Sequence, residues 1–451
     1  MTPGSPESPG GTALSEDLDV APRPDPVSEA ALARHARRMR PLRIAYVAVL
    51  TVLAAVLASI VVVAYRHGEI SHATLRTVAK PPAPVVLGTP SQPLTPAWTS
   101  GDTTAIGAPE FQGTVVTHDQ HTVRGRNART GAQTWSYTRT DRPVCAAIQT
   151  AGVTVAVYQL HGNCDELTAL DTRTGARKWT RTLDKDGAGF DGRASYSVLS
   201  GEIMFVSATS IYALQTTGTA DAGNGGLDYW VFHHPGCTIN GGLLGLGGAL
   251  ISQTCVHEDC SDNKFCGDGR QLLLRDAIKG TEDDSKSTNP DQIVWNLIGS
   301  DLVPTSAGHV IAARDPAGGT LEVLDPKHGR PTARLPLAAP STARTPAAFT
   351  SAGDADLVWV GGHTYAIRGT SVQWQTDTPN VPTVTAPAGA APPDLAQARL
   401  AVATSAGIAE LDGATGHPAR TFSVAAPAAG SLVYPLGTGF LVAGPSTVCY
   451  R

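Results

Sequence analysis

The chain has 451 residues, a formal net charge of −5, and 42% hydrophobic but only 6% aromatic residues. So mild a negative balance argues against a nucleic-acid partner. The 47 glycines and 33 prolines are typical of many short strands joined by turns, with a core of Val, Leu, Ile and Ala.

The first 43 residues are predicted to be a disordered cytoplasmic tail. Residues 1–33 are rich in Pro, Ser, Glu and Asp and have few large apolar side chains. A basic cluster follows at Arg34, Arg37, Arg38, Arg40 and Arg43. We interpret this cluster as a juxtamembrane topology signal rather than a nucleic-acid site.

Residues 44–65 are predicted to be a transmembrane helix. The 21 residues from Ile44 to Ala64 carry no charge, and a helix of that length spans about 31 Å, enough to cross the hydrocarbon core of a bilayer. The denser basic flank precedes the span, so we expect the N-terminus in the cytoplasm and the rest of the chain outside. The alternative is a cleaved signal peptide, whose apolar core is normally about 7–15 residues.

Residues 66–93 are predicted to be an extracytoplasmic linker. They contain Lys80-Pro-Pro-Ala-Pro84 and Thr89-Pro-Ser-Gln-Pro93. Because proline-rich segments are stiff, we expect a spacer between the membrane and residues 94–451.

Residues 94–451 contain a repeated unit whose fullest copy has the pattern A-x-D-x3-G-x3-W at Ala169, Asp171, Gly175 and Trp179. Asp accepts hydrogen bonds from turn amides and Gly permits positive φ, so the unit predicts a hairpin that ends in an aromatic strand. Two further strands are predicted upstream, at 145–149 and 153–160. Four short antiparallel strands make one propeller blade. Incomplete copies of the motif, which keep the Asx-x3-Gly turn, occur at Asn127–Gly131, Asp276–Gly280, Asp325–Gly329 and Asp412–Gly416.

This pattern resembles the tryptophan-docking repeat of PQQ-like β-propellers. That superfamily includes quinoprotein dehydrogenases and the non-enzymatic BamB-like propellers of bacterial envelopes. The resemblance covers about residues 94–451 and implies an all-β propeller. Together with the predicted membrane span, it makes the chain a membrane-anchored bacterial member of this family by expectation.

The aromatic residue of the fourth strand gives the blade count. Five candidate blades end in a tryptophan, and we assign Leu335 and Phe422 to the same position in two weaker blades. Three strands then remain after Phe422, and residues 94–99 resemble an orphan fourth strand. Pairing residues 94–99 with these three C-terminal strands would complete an eighth blade and remove two open strand edges. Seven blades is the alternative. The docking tryptophans are predicted to be Trp98, Trp135, Trp179, Trp230, Trp295 and Trp374, all packed between blades rather than on a ligand.

All seven cysteines lie in the part predicted to be outside the membrane, where disulfides form. On the blade arrangement, Cys145 and Cys164 meet on one face of the ring, and Cys237 and Cys255 repeat that relation two blades later. Cys260 and Cys266 could close a loop locally. Cys449 is left as a buried free thiol or as a sign of mispairing.

The most unusual loop follows Cys255 and is our candidate for partner contact. Its acidic residues are Glu258, Asp259, Asp262 and Asp268, with Asn263 between them. They could offer oxygens to calcium, but their spacing departs from an EF-hand. Zinc would need a C-x2-C knuckle that the chain lacks. A solvated acidic loop is the simpler interpretation.

No catalytic constellation is found in the sequence. The chain has no G-x-S-x-G, no H-E-x-x-H and no adjacent cysteines such as contact the quinone in the PQQ enzymes that the repeat resembles. We therefore predict no catalytic residue and no cofactor, PQQ and calcium included. The function predicted is a non-catalytic scaffold for a protein or an envelope polymer. The alternatives are a PQQ-dependent oxidoreductase and a ligand-sensing ectodomain.

Overall fold

This computed structural model describes residues 46, 48–60, 69–90, 92–107, 109, 113–183, 195–199, 201–216, 228–233, 236–256, 267–276, 293–384 and 393–451. The chain divides into two compact units, Met1–Ser71 and His72–Arg451.

In the first unit, residues 48–60 form helix α1 with exposed side chains. A short helix, α2, covers Glu69–His72 at the boundary between the units. No helix within the described residues combines the length and the apolar character that crossing a bilayer requires. The tail at 1–43 and residues 44, 45, 47 and 61–65 of the predicted span lie outside the described residues.

The second unit contains eight antiparallel sheets of four principal strands each, so the prediction of eight blades is confirmed. The first four blades are β3 (Thr103–Thr104), β4 (Thr114–His118), β5 (Thr122–Asn127) and β6 (Gln133–Arg139); β7 (Val144–Thr150), β8 (Val153–Leu160), β9 (Asn163–Asp171) and β10 (Arg177–Thr182); β11 (Ser195–Leu199), β12 (Glu202–Val206), β13 (Ile211–Gln215) and β14 (Asp228–Phe232); and β15 (Cys237–Gly245), β16 (Gly248–Cys255), β17 (Gly269–Arg275) and β18 (Ile293–Ile298).

Blades 5 to 7 repeat this arrangement, and blade 8 takes its outer strand from the beginning of the ring. These blades are β19 (Val303–Ala307), β20 (Ile311–Asp315), β21 (Thr320–Leu324) and β22 (Pro331–Pro336); β23 (Ala347–Ala352), β24 (Ala355–Val360), β25 (His363–Arg368) and β26 (Ser371–Asp377); β27 (Thr383–Val384), β28 (Arg399–Thr404), β29 (Gly407–Asp412) and β30 (Pro418–Ser423); and β31 (Leu432–Leu436), β32 (Gly439–Ala443), β33 (Thr447–Tyr450) and β2 (Pro96–Ser100). A 3-10 turn, Leu395–Gln397, precedes β28.

Strands β33 and β2 close the ring as the sequence predicts. Trp98 on β2 pairs with Cys449 on β33, and the backbones of Thr95 and Arg451 exchange hydrogen bonds of 2.8 and 2.9 Å. Among the described residues, eight buried apolar clusters each join one blade to the next, including blade 8 to blade 1. The core therefore lies between blades all around the ring.

The docking tryptophans connect one blade to the turn of the next. Trp135 is fully buried and its Nε1 donates to the Thr172 carbonyl of blade 2 at 2.9 Å. The indole covers Gly175, whose φ is +74° and whose Cα hydrogen faces the ring; a Cβ there would lie 2.7 Å from Trp135. Asp171 accepts from the Thr174 amide at 2.9 Å and so holds the turn in this shape.

The same contact recurs where the motif is present in the next blade. The matching pairs are Trp98 with Gly131, Trp295 with Gly329 and Trp374 with Gly416, with indole-to-carbonyl distances of 3.0, 3.2 and 2.7 Å. Trp179 and Trp230 are equally buried. The turns that would receive them fall in 217–227 and 277–292, outside the described residues.

The assignment of Leu335 and Phe422 to the docking position is wrong. Ala169 faces Trp179 across β9 and β10, whereas the equivalent pairs are Val323–Ala333 in blade 5 and Glu410–Arg420 in blade 7. Phe422 packs instead edge-to-face on Phe440, with 5.0 Å between the ring centroids. Neither blade 5 nor blade 7 therefore carries an indole at this position.

Polar contacts take the place of the missing indoles. Between blades 5 and 6, the fully buried carboxylate of Asp356 accepts from Ser306 Oγ at 2.9 Å and from the Val310 amide at 2.9 Å. In blade 7, Arg420 forms an ion pair with the buried Glu410 and donates to the Pro90 carbonyl at 3.4 Å.

Cys449 is buried and is the free thiol among the described residues. It faces Trp98 in the position that Gly125 and Ala169 hold opposite Trp135 and Trp179, where a small side chain is needed. Burial raises its pKa to about 11, so the thiol is protonated and unreactive at neutral pH.

The predicted linker is not a free spacer, because much of it packs on the ring. Strand β1 (Ala73–Arg76) extends blade 1 outward by pairing with β6, with Ala73 opposite Arg139. Val85 is 7% exposed and joins the cluster between blades 8 and 1. Apolar residues among the prolines therefore tie the segment to the propeller.

Prediction: replacing Gly175 with Ala should destabilise the propeller by about 2 kcal/mol or more, because the new methyl group strains a positive-φ residue and displaces Trp135. The matched control is Gly369→Ala, also in a third-to-fourth-strand turn at positive φ (+56°), with nothing within 4 Å of its Cβ. That control should cost about 1 kcal/mol. Thermal unfolding of both variants tests this, and equal losses would contradict the docking role of the indole.

Candidate ligand-binding face

The ring has two faces, because the strands of each blade alternate in direction. The disulfides Cys145–Cys164 and Cys237–Cys255 are present, and both lie where first and third strands begin and second strands end. We define this side as the disulfide face. The opposite side carries the Asx-x3-Gly turns and is defined as the turn face.

The linker occupies part of the turn face. The Val78 amide donates to the Thr174 carbonyl of blade 2 at 3.0 Å, and the Gly88 amide donates to the Gly437 carbonyl of blade 8 at 2.8 Å. Between them, the Ala83 carbonyl lies against Gly113 of blade 1, where a Cβ would meet it at 2.2 Å. Residues 78–88 therefore cover the turn face over blades 2, 1 and 8.

A buried ion-pair cluster stands on the disulfide face between blades 1 and 2. Arg139 is 1% exposed; it donates to both carboxylate oxygens of Asp141 at 2.9 Å and to Glu166 at 2.5 Å. Arg142 pairs with Asp141 and with Glu166. The hydrogen bonds from Arg139 lower the pKa of Asp141 to about 2, although burial acts in the opposite direction.

A second cluster stands on the same face near the ring-closing strands. Asp102 accepts from Arg124 at 3.1 Å and from Arg126 at 2.6 Å, and Asp119 also pairs with Arg124 at 2.5 Å. Burial raises the pKa of Asp102, but the two arginines outweigh it and the net shift is downward. The arginines of blade 1 on this face therefore have carboxylate partners.

A cavity of about 510 Å³ opens on the disulfide face over blades 4 and 5, a size typical of small-ligand sites. Among the described residues, nine polar side chains line it: Asn240, Ser252, Gln253, Thr254, Arg270, Gln271, Ser300, Asp301 and Arg344. Leu302, Val303 and Ala343 complete the described lining. Strands β16 and β17 supply the floor, and the connectors after β18 and β22 supply the walls.

Hydrogen bonds hold the floor of the cavity in place. Gln253 Nε2 donates to Gln271 Oε1 at 2.9 Å, and Asn296 Nδ2 donates to the same oxygen at 2.8 Å. On the rim, Arg270 pairs with Asp301 at 2.6 Å, and both side chains are mostly exposed. The floor is therefore ordered before any ligand arrives, while the rim is open to solvent.

The sequence did not predict this cavity, and most of the loop that it did single out lies outside the described residues. The candidate loop residues Glu258, Asp259 and Asp262, with Cys260 and Cys266, lie in 257–266, outside the described residues. Asp268 is described and directly precedes β17, two residues from Arg270 at the cavity wall. The described cavity residues come from five separate segments of the chain, so no local sequence pattern links them.

The described residues contain no group of three or more His, Cys, Asp or Glu arranged to hold a metal ion. The docking tryptophans Trp98, Trp135, Trp295 and Trp374 are committed to interblade contacts, so they contribute nothing to the cavity.

One family model matches part of the chain. Residues 95–233 match the family described as outer membrane protein assembly factor BamB. No curated protein sequence matches the chain significantly. Among solved structures, the chain is similar to Saccharomyces cerevisiae Sqt1, with 10% identity, a TM-score of 0.47, and coverage of 80% of this chain and 99% of the other. It is also similar to the quinohemoprotein alcohol dehydrogenase ADHIIG from Pseudomonas putida HK5, with 13% identity, a TM-score of 0.40, and coverage of 79% and 76%.

Prediction: the stability contributed by Asp141 should be lost in acid. Its folded pKa lies below the unfolded value, so the carboxylate stabilises the fold above about pH 4 and this contribution disappears as the pH falls to about 2. Thermal unfolding of the Asp141→Asn variant should show a deficit against wild type at pH 6 that closes by about pH 2. The control Asp354→Asn removes a mostly exposed carboxylate that pairs with Arg368, so a pH-independent and small effect is expected. A deficit for Asp141→Asn that persisted at pH 2 would contradict the electrostatic explanation.

Proposed function

We propose that this PQQ-like β-propeller is a non-catalytic binding module, anchored in the membrane by its N-terminal helix, that presents its disulfide face to a protein or an envelope polymer outside the cytoplasm. The observation that carries the proposal is the difference between the two faces. The linker covers the turn face over blades 2, 1 and 8. The disulfide face carries the polar cavity.

The anchoring part of the proposal is supported by the exposed apolar surface of α1. Its side chains at Leu50, Leu53, Leu57 and Ile60 are each about half exposed or more, and they belong to an uncharged stretch of 21 residues. A bilayer would bury these side chains, whereas water would not. Two disulfides support an oxidising compartment for the propeller.

The binding role is supported by the rigidity of the scaffold. At the disulfide face, Cys145–Cys164 fastens the beginning of the first strand to the third strand of blade 2, and Cys237–Cys255 fastens the first strand to the second strand of blade 4. Each closes a loop of about 20 residues, which can contribute roughly 3 kcal/mol. Loops and cavities on a rigid scaffold are the usual place for recognition. The family match, to a protein described as an outer membrane protein assembly factor, favours a scaffold over an enzyme.

Prediction: partner contact should occur on the disulfide face. Val256 and Leu246 are apolar residues of blade 4, 59% and 52% exposed, at opposite ends of β16. A photo-crosslinking amino acid at Val256, in the full chain in intact cells, should give discrete adducts, whereas the same amino acid at Leu246 should give few. Adducts from Leu246 alone, or from neither position, would contradict the proposed face.

Prediction: the full chain should not acquire quinone-dependent activity. Purified protein incubated with PQQ and calcium, then freed of unbound ligand, should retain no stoichiometric quinone absorbance and should reduce no dye with alcohols or sugars. Tight uptake together with turnover would replace the binding-module proposal with the oxidoreductase.

A further inference from the structure

Arg314 and Arg344, near the cavity, differ from the arginines of the two ion-pair clusters because no carboxylate partner is described for them. Arg124, Arg126 and Arg139 on the same face each pair with a carboxylate. Arg314 and Arg344 have no carboxylate within ion-pair distance among the described residues. Within the described part of the disulfide face, the charge of these two side chains is therefore uncompensated.

Arg314 is the more unusual of the two, because it is 2% exposed. Its Nη2 donates to the Ala343 carbonyl at 3.0 Å, but Nε and Nη1 are buried without a hydrogen-bond acceptor among the described residues. Burial lowers the pKa of the guanidinium, yet an arginine remains charged at neutral pH. A buried, unpaired charge is costly for stability, so its presence calls for a compensating anion.

The position of Arg314 connects that charge to the cavity. Arg314 lies directly across from Val303 in blade 5, and both Val303 and Ala343 line the cavity. The Arg314 guanidinium therefore lies behind the cavity wall, where it binds the carbonyl of the lining residue Ala343. Arg344, next to Ala343 in the chain, is exposed on the cavity side of the same connector.

The floor of the cavity suits hydroxyl groups. Its amide and hydroxyl side chains, among them Asn240, Gln253, Thr254 and Gln271, can both donate and accept hydrogen bonds. None of the described lining residues is aromatic, and the volume of about 510 Å³ accommodates one or two sugar rings.

We propose that this cavity binds an acidic saccharide, with Arg344 contacting its carboxylate and Arg314 stabilising the charge from behind the wall. The proposal rests on the binding function proposed above and names the ligand class for that face. Acidic peptides are also recognised by clustered arginines, but the amide and hydroxyl side chains of the floor match the hydroxyl groups of a sugar, which an acidic peptide lacks. The cavity is also concave and mostly polar.

The test is ligand titration with the full-length chain in lipid nanodiscs. The probes are cellobiouronic acid and two other uronate-containing disaccharides, each with its neutral counterpart, and tetraglutamate as an acidic peptide. Saturation-transfer NMR and calorimetry should detect at least one uronate and none of the neutral sugars. Raising the salt concentration should weaken binding, because part of the attraction is between charges.

Three variants separate a binding role from a structural one. Arg344→Gln should weaken uronate binding about tenfold or more, since a charge-assisted hydrogen bond is lost. Arg314→Met should also weaken binding, while its melting temperature without ligand stays equal to or above that of wild type, because a buried unpaired charge is removed. Arg330→Gln, an exposed residue on the turn face of the same blade, removes the same charge and should leave binding unchanged.

Several outcomes would overturn the proposal. These are the absence of uronate binding, binding that the Arg344 and Arg314 variants leave unaffected, and arginine-dependent binding of tetraglutamate alone. A melting temperature lowered by Arg314→Met without loss of affinity would assign Arg314 a structural role and also overturn the proposal. If no uronate binds but Val256 still gives face-specific crosslinks, the acidic-saccharide proposal is wrong and the binding module takes another ligand. If a uronate binds but Val256 gives no crosslinks, the cavity proposal is supported and the proposed partner surface is wrong.

Discussion

The fold depends on one contact, an indole ring seated on the glycine of the next blade's turn. It requires three residues in two blades: a tryptophan in the outer strand, an Asx residue that shapes the turn, and a glycine whose missing Cβ leaves room for the ring. The geometry at Trp135 and Gly175 shows why a tryptophan in one blade occurs together with a glycine turn in the next. A tryptophan is useful only if the following blade offers the turn, and this rule holds wherever both partners are described.

The two exceptions follow from the same rule. Blade 6 joins its third and fourth strands by a two-residue turn at Gly369 and Thr370, so blade 5 has nothing to receive an indole and carries Ala333 instead. In blade 8 the third and fourth strands are not consecutive in the chain, so no turn exists there for blade 7. At the junction of blades 5 and 6, Asp356 supplies hydrogen bonds between the blades. In blade 7, Arg420 instead pairs with Glu410 of the same blade and binds the Pro90 carbonyl of the linker.

The sequence predicted the parts of the structure that repeat. The Asx-x3-Gly turns, the ring closure by Trp98 and the strands after Phe422 all follow from a pattern seen several times. The prediction failed for Leu335 and Phe422, because a large apolar residue was taken for the docking position when the register required Ala333 and Arg420. It also missed β1, whose four mostly exposed residues carry no apolar alternation. The cavity and Arg314 could not be predicted, because they arise where separate connectors meet, and a buried arginine has the same sequence signature as an exposed one.

The closure of the ring also sets an order in time for folding. Thr95 and Arg451, which bond to each other, lie 356 residues apart, and Trp98 has no complete sheet until β33 has been synthesised. Blades 1 to 7 can form from local hairpins as they leave the ribosome, whereas blade 8 and its junction with blade 1 must wait for the most distant pairing in the chain. Until then the two flanks of an open arc expose apolar surface and unpaired strand edges. The nascent protein is thus most exposed to aggregation just before its last strand is made.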